Sequence, residues 1–285
     1  MIQSMTGFGK AEKQFENKHY VLELRSLNSK GLEVNARLPL QVREIEIELK
    51  KIIGEQLVRG KIDLNLNIEN LGLPSVKTIN TSAINHYIDQ LKSIEDGDRM
   101  ELLKMAIKLP ETLTTGKEEF EAEEIQMIKE LLKQVIGTLN QFRGDEGKVL
   151  ETEFQKRLVN IEKLASDVEE IDPERSANIT KKLKASLETL QVEVDQNRFE
   201  QELIYYLEKY DITEEKVRLK NHIDYFKETM DQSSSNGKKL GFITQEMGRE
   251  INTIGSKANH AGLQKLVIQM KDELEKIKEQ LLNVL

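Results

Sequence analysis

"KIDLNLNIEN", residues 61–70, sets Ile62, Leu64, Leu66 and Ile68 against Asp63, Asn65, Asn67 and Glu69 in strict alternation. Successive side chains of a strand point to opposite faces, so this period of two predicts a strand with one wet face and one buried face. A single strand has nothing to pair with, and the sequence upstream supplies companions. In "YVLELRSLN" at 20–28 and "LEVNARL" at 32–38 apolar residues again alternate with polar ones, and "NSKG" between them carries a turn signal. Residues 19–38 therefore read as a β-hairpin. Pro39 closes it, and Ile45, Leu49, Ile52, Ile53 and Leu57 then recur at helical spacing until "RGK", which predicts a helix over about 40–58.

Downstream the period changes from two to that of helices. "GLPSVKTINTS" at 72–82 reads as a loop, with Asn80 or Thr81 placed to cap a helix that begins near Ser82. Two long amphipathic helices follow, about 118–140 and 144–170, separated by "RGDEG", and Pro173 stands where another helix starts. From Asp195 onward, further helical stretches are divided by "DQSSSNGKK" at 231–239. Leu263, Val267, Met270, Leu274, Ile277 and Leu281 form a coiled-coil-type seam that requires a partner helix, in this chain or another. The expected fold class is α+β: a small N-terminal antiparallel β-sheet unit with helices, then a long-helical C-terminal half. Expected domains are 1–155, a helical connector at 156–200, and a helical domain at 201–285.

Composition narrows the functional classes. Of 285 residues 32% are charged and 5% aromatic, and there is no cysteine, which excludes disulfides, thiolate metal sites and cysteine nucleophiles. "MIQSMTGFGK" at the N-terminus lacks the basic and apolar regions of a signal peptide, and no run approaches membrane-spanning length, so a cytoplasmic location without membrane partners is expected. The net charge of −8 disfavours indiscriminate binding along nucleic acid, yet leaves room for a local basic site or for metal ions. Walker loops, dinucleotide-type glycine fingerprints, HExxH and zinc-finger spacings are absent from the sequence.

Two C-terminal helices carry chemistry on one flank. Ile212, Leu219, Ile223, Phe226 and Met230 form an apolar stripe, with Asp211, Glu215, Arg218 and His222 beside it at steps of four, three and four. In "GFITQEMGREINTIGSKANH" at 241–260 the stripe is Ile243, Met247, Ile251 and Ile254, joined by Leu240, and the flank is Glu246, Arg249, Glu250, Thr253 and Lys257. Periodicity leaves two readings open. Such flanks are commonly solvated ion pairs; if the two helices pack antiparallel, the same carboxylates border one seam and can meet a metal ion or a phosphate.

"SMTGFGKAE" at 4–12, "ELRSLNSKGLEVNARLP" at 23–39, "LVRGKIDL" at 57–64, "RGDEGKVLETEFQKRL" at 143–158, "DITEEKVRLKNHIDYF" at 211–226 and the whole of 237–285 resemble the YicC/YloC family of bacterial stress-associated endoribonucleases. The resemblance implies metal-dependent endonucleolytic cleavage of single-stranded or structured RNA, a cytoplasmic location and a ring-like homo-oligomer, a hexamer, enclosing RNA. Carried over residue by residue, it implies metal ligation by Glu215, Glu246, Glu250 and His222, with Mg²⁺ or Mn²⁺ favoured by the oxygen-rich set. On that footing His222, Glu246, Glu250 and Arg249 take catalytic roles and Arg218, Arg249 and Lys257 contact RNA phosphates; for Arg25, Asn28, Arg37 and Arg59 two readings stay open, guiding RNA from the N-terminal unit or salt-bridging on a sheet surface. The chain departs from common members at Gly241, Gly248 and His260, where these carry "KLDFL", "QEMNRE" and "SKAND", and at Ser29 and Lys30, where they carry "NHR". A non-catalytic oligomeric adaptor or RNA chaperone assembled through 263–281 is the alternative, and it explains the charge and the seam without chemistry.

Overall fold

The computed structural model describes residues 2–71, 78–95, 97–114, 120–189, 196–232 and 236–285. Residues 72–77, the first part of the expected 72–82 loop, and Ser233–Ser235 of the polar gap lie outside the described residues. Residues group by contact into two units. One comprises Phe8–Arg25 and Gly31–Leu139; the other comprises Met1–Gly7, Ser26–Lys30 and Asn140–Leu285.

The sheet unit holds β1 (Gly7–Phe15), β2 (Lys18–Leu27), β3 (Leu32–Arg37) and β4 (Gly60–Asn70), in the order β1-β2-β4-β3. The strand that alternates most strictly, β4, takes an interior position, and β3 lies beside it in parallel, Leu32 opposite Gly60 and Arg37 opposite Asn65. This overturns the hairpin expected over 19–38. β2 and β3 are not neighbours, because β4 is inserted between them. A parallel pair needs a crossover, and the predicted helix provides it as a 3-10 turn, Leu40–Ile45, followed by α1, Glu46–Gln56. The sheet is therefore mixed: β1 and β2 are antiparallel across their two-residue turn, while β3 and β4 run together. β1 had no distinctive signal, since its inward positions include Gly7, Gly9 and Ala11. Gly9 is needed there: a Cβ would stand 2.4 Å from the Val135 carbonyl oxygen.

One sheet face buries Tyr20, Leu22 and Leu24 from β2 with Ile62, Leu64 and Leu66 from β4, against Leu49 and Ile53 of α1 and Met127–Leu139 of a long helix. The Tyr20 hydroxyl donates to the buried Glu124 carboxylate, which Lys18 also approaches at 3.1 Å. Thr78–Ile79 (β5) and Leu113–Thr114 (β6) pair antiparallel beside α2 (Thr81–Ile94) and α3 (Arg99–Ala106). Asn80 caps α2, its side-chain oxygen accepting from the Ala83 N–H at 3.1 Å, as the sequence predicted.

The long helix, α4, runs from Ala122 to Thr189 without a break, through "RGDEG" and past Pro173, where the sequence predicted two helices and a new start. Glycine inside a helix costs only about 1 kcal/mol, so packing overrides it. At Gly147 the packing is specific: the backbone of Ile2 lies so close that a Cβ would be 2.1 Å from its oxygen. Past Pro173, Arg175 secures the helix, pairing with Asp172 and donating to the carbonyls of Tyr210 at 2.7 Å and Lys257 at 3.2 Å.

The helical unit continues with α5 (Gln196–Lys209), α6 (Thr213–Met230), α7 (Gly237–Lys257) and α8 (Ala261–Leu281). Its core joins Phe154, Leu158 and Ile161 of α4 to the predicted stripes of α6 and α7 and to all six seam residues of α8. The terminal seam therefore finds its partner helices within this chain, so its six apolar residues are taken up in the core. The N-terminal segment pairs with the C-terminal one, Ser4 bridging Val284 and the Met5 N–H donating to the Asn283 carbonyl at 2.7 Å. Beneath it the Arg143 guanidinium, held down at about 10 by burial, donates to Ser26 and to the Met5 carbonyl.

Candidate functional site

α6 and α7 pack along one another because both carry a full apolar stripe: Leu219, Ile223, Phe226 and Met230 on one, Leu240, Met247, Ile251 and Ile254 on the other. Lys257, at the end of α7, donates to Glu215, in the first turn of α6, at 2.8 Å. The pair is therefore antiparallel, and counting inward from this contact brings position 222 level with 250. That contact joins one residue of each predicted flank.

Within the seam the residues fare differently. Glu250 is buried at 8% exposure, and His222 is half-buried. Neither has a hydrogen-bond or ion-pair partner among the described residues. Arg218 and Arg249 project to solvent, each tethered to a carboxylate of its own helix, Glu214 and Glu246. Glu215 is committed to Lys257, and its second oxygen is buried without a partner. Lys257 also donates to the Asp211 carbonyl at 2.8 Å. Asp211 itself turns the chain into α6, accepting from the N–H and hydroxyl of Thr213, and the hydroxyl bond leads in holding its carboxyl below the usual range.

The proposed ligand set does not come together as a metal centre. Among the described residues no three His, Asp or Glu side chains are gathered closely enough to hold an ion. Glu246 faces Arg249 at 2.8 Å and Glu215 faces Lys257, so two of the four expected ligands are already neutralised by cations. Among the described residues one chain thus does not fit a divalent ion held by three or more such side chains.

The residues expected to guide RNA from the N-terminal part also divide. Asn28 donates to the Leu282 carbonyl at 2.6 Å, tying β2's exit to the end of α8. Arg25 lies over the Phe8 ring at 5.5 Å, with Glu23 at 3.7 Å. Arg37 is exposed at the end of β3, and Arg59 precedes β4. Sequence reasoning missed Arg175 and Asp172, which with Lys216 anchor the ends of α6 and α7 that carry the flanks. Their signal was an Asp and an Arg at i,i+3 around a proline, which a local reading assigns to a helix start.

A pair of helices that carries exposed arginines, a histidine and a carboxylate without a partner among the described residues has groups able to handle anions and protons. The chain belongs to the YicC-like endoribonuclease family. The description "Endoribonuclease YicC-like, N-terminal region" matches residues 2–152, and "Endoribonuclease YicC-like, C-terminal" matches 168–285. The chain is 31% identical to the probable endoribonuclease YicC of Clostridioides difficile (strain 630) and 29% identical to that of Haemophilus influenzae (strain ATCC 51907 / DSM 11121 / KW20 / Rd). Both comparisons cover 100% of this chain and 100% of the relative. Among the described residues no helix is long and apolar enough to cross a membrane.

Proposed function

We propose that this chain is an endoribonuclease acting on single-stranded or structured RNA, with the α6–α7 flank as its reaction surface. The observation that carries the reading is Glu250, a largely buried residue whose carboxylate has no partner among the described residues and which stands about level with His222, on the helix pair that also carries the exposed Arg218 and Arg249. Arg218 and Arg249 bind phosphate oxygens and stabilise the charge that develops on them. His222 moves the proton. In transesterification it takes the proton of a 2′-hydroxyl, whose oxygen bonds to phosphorus as the bond to the 5′-oxygen breaks, and water protonates the departing oxygen. In hydrolysis, water replaces the 2′-hydroxyl as nucleophile. Glu250 orients or receives the proton of the imidazole.

Mg²⁺ or Mn²⁺ belongs to this reading only as an ion that arrives with the RNA, held mainly by phosphate oxygens and water with at most one or two carboxylates, a common habit of Mg²⁺. A cytoplasmic location and a homohexamer, both implied by the resemblance, complete the proposal; sedimentation of the purified chain tests the hexamer. Assembly then uses surfaces other than the α8 seam, which is buried within the chain.

Activity is tested with an end-labelled hairpin RNA in EDTA, Mg²⁺ and Mn²⁺, comparing wild type with His222→Gln and Glu250→Gln. Loss of general acid–base help predicts a fall of about 10²-fold or more for His222→Gln. Unchanged cleavage by both folded variants refutes the site. RNA binding by wild type with no new ends in any metal condition supports the adaptor instead.

A further inference from the structure

The sheet unit contains a cleft of about 670 Å³ at the carboxyl end of the parallel pair β3–β4. Register sets Arg37 opposite Asn65 at that end, and the 3-10 turn after Pro39 returns Arg43 to the same cleft. Leu38 and Leu66 supply its apolar lining. Both guanidinium groups are exposed, and among the described residues neither has a carboxylate, hydrogen-bond or ring partner. Four other arginines, Arg157, Arg175, Arg218 and Arg249, each face a carboxylate. The one acid lining the cleft, Glu46, is held by Lys50 at 2.7 Å.

Two unpaired guanidinium groups in one cleft repel each other, and the arrangement becomes favourable when an anion lies between them. Their planar forks match phosphate bidentately. The position also has a general logic, since open sheets with parallel strands bind ligands outside the carboxyl ends of those strands.

We propose that Arg37 and Arg43 clamp the phosphodiester backbone of an RNA strand, with Asn65 beside them to meet the sugar. The inference rests on the reading that RNA is the substrate, and it assigns Arg43, which no motif singled out, a role equal to that of Arg37. An open cleft with exposed cations suits a strand passing over it better than a small anion that must be enclosed. Backbone contacts carry no sequence information, so the clamp acts alike on all sequences.

The test is anisotropy of a fluorescent 2′-O-methyl RNA strand, which the transesterification route cannot cleave, titrated with the full chain between about 50 and 200 mM salt. Each of Arg37→Gln and Arg43→Gln lowers the slope of log K against log[salt] by about 0.7, and the double variant by about 1.4, equally for two unrelated sequences. Arg37→Lys, which keeps the charge, retains the slope and serves as the control for folding. An unchanged slope in the folded double variant overturns the clamp. So does full displacement of RNA by millimolar inorganic phosphate, which would make the cleft a free-anion site. Because binding is read without cleavage, failure of wild type to cut RNA leaves this result standing, and failure of the clamp leaves the α6–α7 site untouched.

Discussion

Replacing Lys257 with methionine separates a structural strut from a metal ligand at Glu215. The Glu215 side chain is 9% exposed, its Oε1 meets Lys257 at 2.8 Å, and its Oε2 is buried with no partner. Without Lys257, a carboxylate that already lacks one hydrogen bond loses its countercharge as well. Breaking a fully buried pair costs about 3–5 kcal/mol and an exposed one at most about 1 kcal/mol. Lys257 is 30% exposed, so water softens only its side of the pair. The expected loss is about 2–3 kcal/mol, or about 30- to 150-fold in the folding equilibrium. Glu215→Gln/Lys257→Met leaves no buried charge and recovers more than half of that loss. Urea unfolding at 25 °C, with an unchanged m-value, measures all four corners of the cycle. A loss below about 0.5 kcal/mol for Lys257→Met, or a double variant no more stable than Lys257→Met, refutes the strut. RNA cleavage by folded Glu215→Gln at the wild-type rate follows from the strut; cleavage that disappears while the fold survives assigns Glu215 to the chemistry.

Burial pushes the Glu273 carboxyl up, but hydrogen bonds from Lys276, Asn160 and Arg157 outweigh it and hold the group down at about 2, against an ordinary 4.5. A depressed carboxylate stabilises the fold above its unfolded value, so the advantage of wild type over Glu273→Gln is full above about pH 4.5 and fades toward pH 2 in acid titrations of stability. Gly147→Ala and Gly144→Ala should move melting temperature in opposite directions. The first drives a Cβ into the Ile2 backbone and loses about 1–2 kcal/mol net, whereas the second meets nothing within 4 Å and gains up to about 1 kcal/mol of helix propensity. His260 caps α8 through Nδ1, which accepts from the Leu263 N–H at 3.3 Å. His260→Asp, which restores a good N-cap acceptor, should keep or raise the melting temperature, and His260→Ala should lower stability by about 0.5–1 kcal/mol in urea unfolding.

The departures from common family members prove sterically light. Gly241 has open space where a Cβ would go, Gly248 has only the tip of Leu274 at 3.3 Å, and His260 does the capping work of an aspartate.

Patterns set by neighbours along the chain were legible in the sequence, because they depend on each residue's own face. The alternation of β4, the stripes of α6 and α7, the seam of α8 and the Asn80 cap all stand as read. Tertiary structure decided what depends on which element arrives from a distance. β4 enters between β2 and β3, since burying its apolar face beside both outweighs a local turn signal. α4 continues through both glycines of "RGDEG" and Pro173, because contacts from Ile2, Tyr210 and Lys257 offset costs that a local reading counts as decisive. At the candidate site the sequence determined that acids, arginines and a histidine share a flank. Only packing decided their partners: Lys257 neutralises Glu215, Arg249 takes Glu246, and Glu250 is left buried and unpaired near the level of His222, because side-chain spacing fixes a face but not the distance across a seam.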